Sequence, residues 1–62
     1  MFKPDYNNVP ATAADLIEHF GLHGARREAV VRKIAATTNG KRAFWAYVIH
    51  DIDDVNNRNK DS

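Results

Sequence analysis

The stretch from Phe44 to Val55 constrains the fold of this chain more than any other. Its apolar residues fall within an arc of about 140° on a helical wheel; they are Phe44, Trp45, Val48, Ile49, Ile52 and Val55. On a strand, where alternate residues point to opposite sides, the same residues would leave neither face polar. The pattern therefore predicts a helix, which we place at residues 42–56.

A first helix is predicted upstream, at residues 12–20. Thr12 and Asp15 have the spacing of a helix start, in which the hydroxyl caps a free backbone N–H and the acid favours the helix dipole. Four apolar residues then recur at helical spacing: Ala13, Leu16, Ile17 and Phe20. Gly21 is expected to end this helix, because glycine accepts the positive φ of a tight connection.

A second helix is predicted at residues 25–38. Its wheel places one set of residues on an inward apolar side: Val30, Val31, Ile34, Ala35 and Thr38. The opposite side, expected to face solvent, holds Arg26, Ala29, Arg32, Lys33 and Ala36. We therefore predict an amphipathic helix with a basic outer side.

These elements predict an all-α fold, a small three-helix bundle in a single domain 1–62. Residues 1–11 form an irregular arm, in which Phe2, Tyr6 and Val9 can pack, and residues 57–62 form a frayed tail. The alternative is a winged-helix fold, with a hairpin of residues 35–38 and 42–49 around Asn39 and Gly40. That alternative predicts strands where the bundle has none.

Size and the absence of cysteine make self-association an expected source of stability. A chain of 62 residues buries a small core, and one without cysteine has neither disulfides nor thiolate metal sites to reinforce it. We expect a homodimer with Trp45 or Tyr47 at or near the interface. No apolar run reaches the length of a membrane span and residues 1–5 lack the apolar segment of a signal peptide, so we expect a cytoplasmic protein without membrane contact.

The distribution of charge favours nucleic-acid binding, with DNA as the expected partner. The net charge is only +1, but six of the nine basic residues fall between positions 26 and 42, where Glu28 is the only acid. On the predicted outer side of the second helix, small alanines among cations would allow close approach to phosphates. The candidate nucleic-acid-binding residues of this small regulatory or accessory protein are Arg26, Arg32, Lys33, Lys41 and Arg42.

The alternative function is a non-catalytic protein-binding adaptor or inhibitor that docks through the third helix, a role typical of small phage- or plasmid-type effectors. The candidate interface residues are Phe44, Trp45, Tyr47, Asp51 and Asp54. Acids near a helix C-terminus oppose the dipole, so contact with a basic partner or with the chain's own basic helix would favour them.

No catalytic residues and no cofactor or metal site are predicted. His19 and His23 have the spacing of two helical metal ligands, but Gly21 lies between them and breaks that alignment. Asp51, Asp53 and Asp54 are followed by Val55 and Asn56, where a calcium loop needs glycine. The only serine is Ser62, in the predicted tail, so no nucleophile with a base and an orienting group can be assembled. We expect that the protein is not an enzyme.

Residues 16–23 resemble the first helix and turn of the helix-turn-helix motif, with Gly21 and Leu22 at the corner. The resemblance covers eight residues. Ile17 stands where the motif usually has a small residue, and Arg27 where its second helix has an apolar one. We therefore do not assign the chain to that family, and we transfer no contact residues from it.

Overall fold

The computed structural model describes residues 2–60, and for Asn59 and Lys60 the backbone alone. Two helices account for most of this range, α1 (Val9–Ala35) and α2 (Asn39–Lys60), joined by residues 36–38. The described residues contain no strand. The predicted all-α class is confirmed, and the winged-helix alternative is wrong because residues 42–49 are helical.

The predicted break at Gly21 is present, but as a kink. Gly21 has φ 74° and ψ 172°, non-helical angles inside α1, in a region that essentially only glycine occupies. The kink divides α1 into a first arm (9–20) and a second arm (22–35). The first two predicted helices thus form one kinked helix, and a three-helix bundle is not confirmed.

The start of α1 differs from the prediction. Asn8 is the N-cap, with its side-chain oxygen 3.1 Å from the Ala11 amide, and Pro10 lies in the first turn. Thr12 is instead buried inside the helix, where its hydroxyl bonds both the amide and the carbonyl of Asp5 at 3.0 Å. With Asn8 as the cap, Pro10 falls in the first turn, where proline is favoured, so the helix starts earlier than predicted. The two hydrogen bonds between Thr12 and Asp5 hold the irregular arm, residues 2–8, against the helix.

Helix α2 is longer than predicted at both ends. Thr38 caps it: its hydroxyl accepts from the Lys41 amide at 3.2 Å and its carbonyl from the Arg42 amide at 3.0 Å. Asn39 and Gly40 therefore begin a helix and do not form the hairpin turn of the winged-helix alternative. Residues 57–60 of the predicted tail belong to this helix. Met1 of the predicted arm and residues 61–62 of the predicted tail lie outside the described residues.

The core lies between α1 and α2. Its buried apolar residues are Ala13, Leu16, Ala25, Ala29, Phe44, Trp45, Val48 and Ile52. The half-buried Phe2, Val9 and Ile17 pack against it, and Tyr6 lies against Phe44 with ring centroids 4.8 Å apart. The predicted apolar faces of α2 and of the first arm are confirmed, apart from Phe20, which is 45% exposed.

The second arm is rotated relative to the prediction. Ala25 and Ala29 are fully buried, whereas Val31 and Ile34 are 54% and 79% exposed. The predicted inward side therefore faces solvent. The physical reason is the size of the side chains on α2: Ala25 and Ala29 share the core with its large buried residues, among them Trp45, Val48 and Ile52, and small residues opposite large ones allow close-packed density. Within residues 2–60 neither helix has an apolar segment long enough to cross a lipid bilayer.

Candidate functional site

Two of the five predicted nucleic-acid-binding cations, Arg26 and Arg32, form ion pairs within the chain. The Arg26 Nε lies 2.8 Å from the Asp53 Oδ1, which joins the second arm to α2. This ion pair is the contact with the chain's own basic helix that was expected from the sequence to favour the acids of α2. Because α2 continues to Lys60, these acids do not lie in its last turn, and the conflict with the helix dipole expected from the sequence is absent.

Arg32 points inward and contacts aromatic rings. Its Nε lies 2.9 Å from the Glu28 Oε1, and its guanidinium carbon lies 5.0 Å from the Phe2 ring centroid and 5.5 Å from that of Trp45. These distances are in the range of cation–π attraction. Arg32 is half-buried and closes one edge of the core.

The other three predicted cations are exposed around the connection between the helices. Lys33 precedes the connection, and Lys41 and Arg42 follow it. The Lys41 ammonium lies 5.6 Å from the Tyr6 ring centroid, and Arg42 donates a 3.3 Å hydrogen bond to the Asn39 side chain. Residues 29–50 contain no acid, so the chain on both sides of the connection carries cations without an acid among them.

The predicted protein-interface residues do not form one surface. Phe44 and Trp45 are 7% and 2% exposed and belong to the core, whereas Tyr47 is 66% exposed. Asp51 is half-buried, and Asp54 is exposed and forms a 2.8 Å ion pair with Arg58. Of the three aromatic candidates, only Tyr47 is available for contact with a partner.

His19 and His23 lie on opposite sides of the kink, and both are exposed. The His19 ring packs near Phe2, with centroids 6.2 Å apart. Across residues 2–60 no group of three or more histidine, aspartate or glutamate side chains is placed to hold a metal ion.

A surface that the sequence interpretation missed is the solvent side of the second arm, here called the outer face and made of Arg27, Val30, Val31 and Ile34. Val31 and Ile34 are its most exposed apolar members. Beside it runs a groove of about 390 Å³ between the second arm and α2, here called the outer groove. It is lined by Leu22, His23, Arg26, Arg27, Val30, Val31, Ile52, Asp53 and Asn56.

A second groove, here called the acidic groove, lies between the first arm and α2 and has a volume of about 440 Å³. Its lining consists of Pro10, Ala13, Ala14, Ile17, Glu18, Asp51, Val55 and Arg58. Among the described side chains, neither Glu18 nor Asp51 has a cation within ion-pair distance, and Arg58 is balanced by Asp54. An apolar lining is therefore combined with two unbalanced carboxylates.

Both missed surfaces have a signal in the sequence. The second arm carries two apolar stripes, one of alanines and one of valines and isoleucine, and one helix packed on one neighbour covers only one of them. Pro10, Ala14 and Glu18 recur at four-residue spacing, which puts the acid on the same side of the first arm as small apolar residues. No family model, curated protein or solved structure matches the chain, so a functional interpretation depends on these surfaces alone.

Proposed function

We propose that the protein is a non-catalytic protein-binding module whose partner presents a basic amphipathic helix to the acidic groove. The observation that supports this proposal is the combination, in one groove, of an apolar lining with two carboxylates, Glu18 and Asp51, that have no ion-pair partner among the side chains the structure describes. An amphipathic helix docks its apolar side chains in such a groove. Lysine or arginine residues flanking them would face the two carboxylates, which favours this class of partner over acidic ones.

The dimer expected from the sequence remains part of this proposal, but with a different interface. Of the two residues expected at the interface, Trp45 is buried within the chain, and Tyr47, although 66% exposed, lines neither of the two grooves. The outer face exposes Val31 and Ile34 next to a groove, and exposed adjoining apolar surface marks an interaction site. We assign the dimer contact to the outer face, which leaves the acidic groove of each copy for the partner.

The groove is tested with two synthetic amphipathic peptides of the same pattern, one of leucine and lysine and one of leucine and glutamate, titrated by calorimetry. The lysine peptide should bind and the glutamate peptide should not. Glu18→Lys should weaken binding of the lysine peptide about tenfold, because an attraction becomes a repulsion of similar size. Asp15→Lys, the same change on the same arm at an exposed residue outside the groove, is the matched control.

A second pair of variants tests the apolar lining. Ala14→Leu adds bulk inside the acidic groove and should block the lysine peptide. Ala11→Leu adds the same bulk at an exposed residue outside it and should not. Equal binding by all four variants, or equal binding of both peptides, would mean that this groove is not the partner site.

Nucleic-acid binding is a second candidate, favoured by the exposure of Lys33, Lys41 and Arg42 around an acid-free stretch. If these cations contact phosphates, duplex affinity should fall steeply with salt, and replacing any one by alanine should flatten the log–log slope by about 0.9. Arg58→Ala, which removes an exposed cation already paired with Asp54, should leave the slope unchanged. Binding without salt dependence, or a parent that does not bind duplex, eliminates this candidate.

A further inference from the structure

The outer groove differs from the acidic groove in the charge of its lining. Its basic side chains are those of His23, Arg26 and Arg27, and among the described residues that line it the only carboxylate is that of Asp53. Arg26 and Asp53 balance each other at 2.8 Å. Among the described side chains Arg27 has no carboxylate within ion-pair distance. The groove therefore carries a positive charge, that of Arg27, which its own acid does not neutralise.

Accessible apolar surface lies next to this charge. Val30 and Val31 also line the groove, and they follow Arg27 by three and four residues, which places them beside it on the helix. Val30 is half-buried and Val31 is 54% exposed, so both offer surface to a bound molecule. A ligand that matches this lining combines an anionic group with an apolar body.

The ion pair between Arg26 and Asp53 limits the size of that ligand. Both residues line the groove, one from the second arm and the other from α2, so the pair connects its two sides. A helix lying along the groove would have to pass over this connection. Among the described residues no ion pair joins the first arm to α2 across the acidic groove. The outer groove, of about 390 Å³, has the volume of a small-molecule site, for which about 300–1,000 Å³ is usual.

We propose that the outer groove binds a small molecule made of one carboxylate and an apolar body. Arg27 pairs with the carboxylate, because a guanidinium donates two parallel N–H bonds to its two oxygens. The hydrogen bond from Arg26 to Asp53 uses Nε, so the terminal N–H groups of Arg26 are placed to donate to the same ligand. A phosphate monoester fits less well, since its second negative charge would face the Asp53 carboxylate, which is 41% exposed. This site goes beyond the proposed function and does not depend on it.

The site is tested with naphthalene carboxylate, titrated into the isotope-labelled full chain and followed by backbone amide chemical shifts. Naphthalene carboxamide, of the same shape but without charge, is the matched ligand. The titration uses a dilution at which the chain sediments as a monomer, because Arg27, Val30 and Val31 also belong to the outer face. The carboxylate should shift the amides of residues 22–31 and 52–56 and bind about tenfold more tightly than the carboxamide, the loss expected when a charged hydrogen bond is removed.

Three variants locate the charge that binds the ligand. Arg27→Gln should weaken binding of the carboxylate about tenfold. Arg42→Gln, the same change at an exposed arginine outside the groove, should leave the affinity unchanged. Asp53→Asn should raise the affinity, because it removes a repulsion and leaves Arg26 without its competing carboxylate. Equal affinity for the two ligands, full binding by Arg27→Gln, or shifts centred outside the groove would overturn the proposal.

Discussion

The second arm of α1 and helix α2 are both amphipathic, yet they use their apolar residues in opposite ways. In α2 the large side chains face inward, with Trp45, Val48 and Ile52 at most 2% exposed. In the second arm the small side chains face inward: Ala25 and Ala29 are fully buried, whereas Ile34 is 79% exposed. The comparison shows that the bulk of one helix decides which stripe of its neighbour is buried, and that the remaining apolar stripe becomes available for binding.

The largest effect should come from truncating the bulky side of this packing. Trp45→Ala should lower the free energy of unfolding by about 3–5 kcal/mol, because it removes a buried indole and leaves a cavity. Ile34→Ala should change it by no more than about 0.5 kcal/mol. Urea denaturation followed by far-ultraviolet circular dichroism, at protein concentrations where the chain is monomeric, gives both values. Similar losses for the two variants would contradict the contrast between the helices.

Enlarging the small side is the converse experiment. Ala29→Leu should lower stability by about 1–3 kcal/mol, because a larger side chain at a fully buried position forces its neighbours out of their packing. Ala35→Leu adds the same atoms at an exposed position of the same arm and should stay within about 0.5 kcal/mol of the parent. Tolerance of leucine at residue 29 together with a loss at residue 35 would show that the arm is rotated the other way.

The kink that directs the second arm gives a third test. Gly21→Ala should destabilise the chain by about 1–3 kcal/mol, because residue 21 has backbone angles that essentially only glycine adopts without strain. Gly40→Ala in α2 should instead stabilise it by about 0.4–1 kcal/mol, since the position is helical with nothing within 4 Å of an added Cβ. Thermal unfolding of both variants measures the two shifts, and an alanine at residue 21 without cost would mean that α1 is not kinked there.

Two neighbouring cations on the second arm, Arg32 and Lys33, should differ by a smaller amount in their contribution to the free energy of unfolding. Arg32→Ala should cost about 1–2 kcal/mol, because the guanidinium stacks on Phe2 and Trp45 and its stem covers part of the core. Lys33→Ala, at the next residue but exposed, should stay within about 0.5 kcal/mol. Equal costs in a denaturant titration would indicate that Arg32 does not point inward.

The sequence alone predicted α2 and the break at Gly21, because a single apolar stripe of large residues and a glycine between two helical patterns leave little choice. The sequence did not predict the structure correctly where two arrangements were equally compatible with the neighbouring residues. Both Asn8 and Thr12 can cap α1, and only the packing of the irregular arm assigns Thr12 to Asp5. Likewise both sides of the second arm are apolar. Which side is buried depends on the core residues of α2, such as Trp45 and Phe44, which are distant in sequence.

The positions of the candidate site residues depend on which side of the second arm is buried. With the second arm rotated, Arg32 moves from the predicted basic surface to the edge of the core, and Val31 and Ile34 move from the predicted core to the surface. The pairing of Arg26 with Asp53 joins residues 27 positions apart, which no local pattern predicts. Lys33, Lys41 and Arg42 were predicted to be exposed, and they are.

The orientation of the second arm is tested most directly by thiol reactivity in the native state. The chain has no cysteine, so Ala29→Cys and Ile34→Cys each carry one reporter, and each is treated with a disulfide reagent at a dilution where sedimentation shows a monomer. The thiol at residue 34 should react as fast as a free thiol in solution. The thiol at residue 29 should react only when the chain unfolds, and denaturant should accelerate it in step with the loss of helical signal. Rapid reaction at residue 29 together with protection at residue 34 would contradict the account.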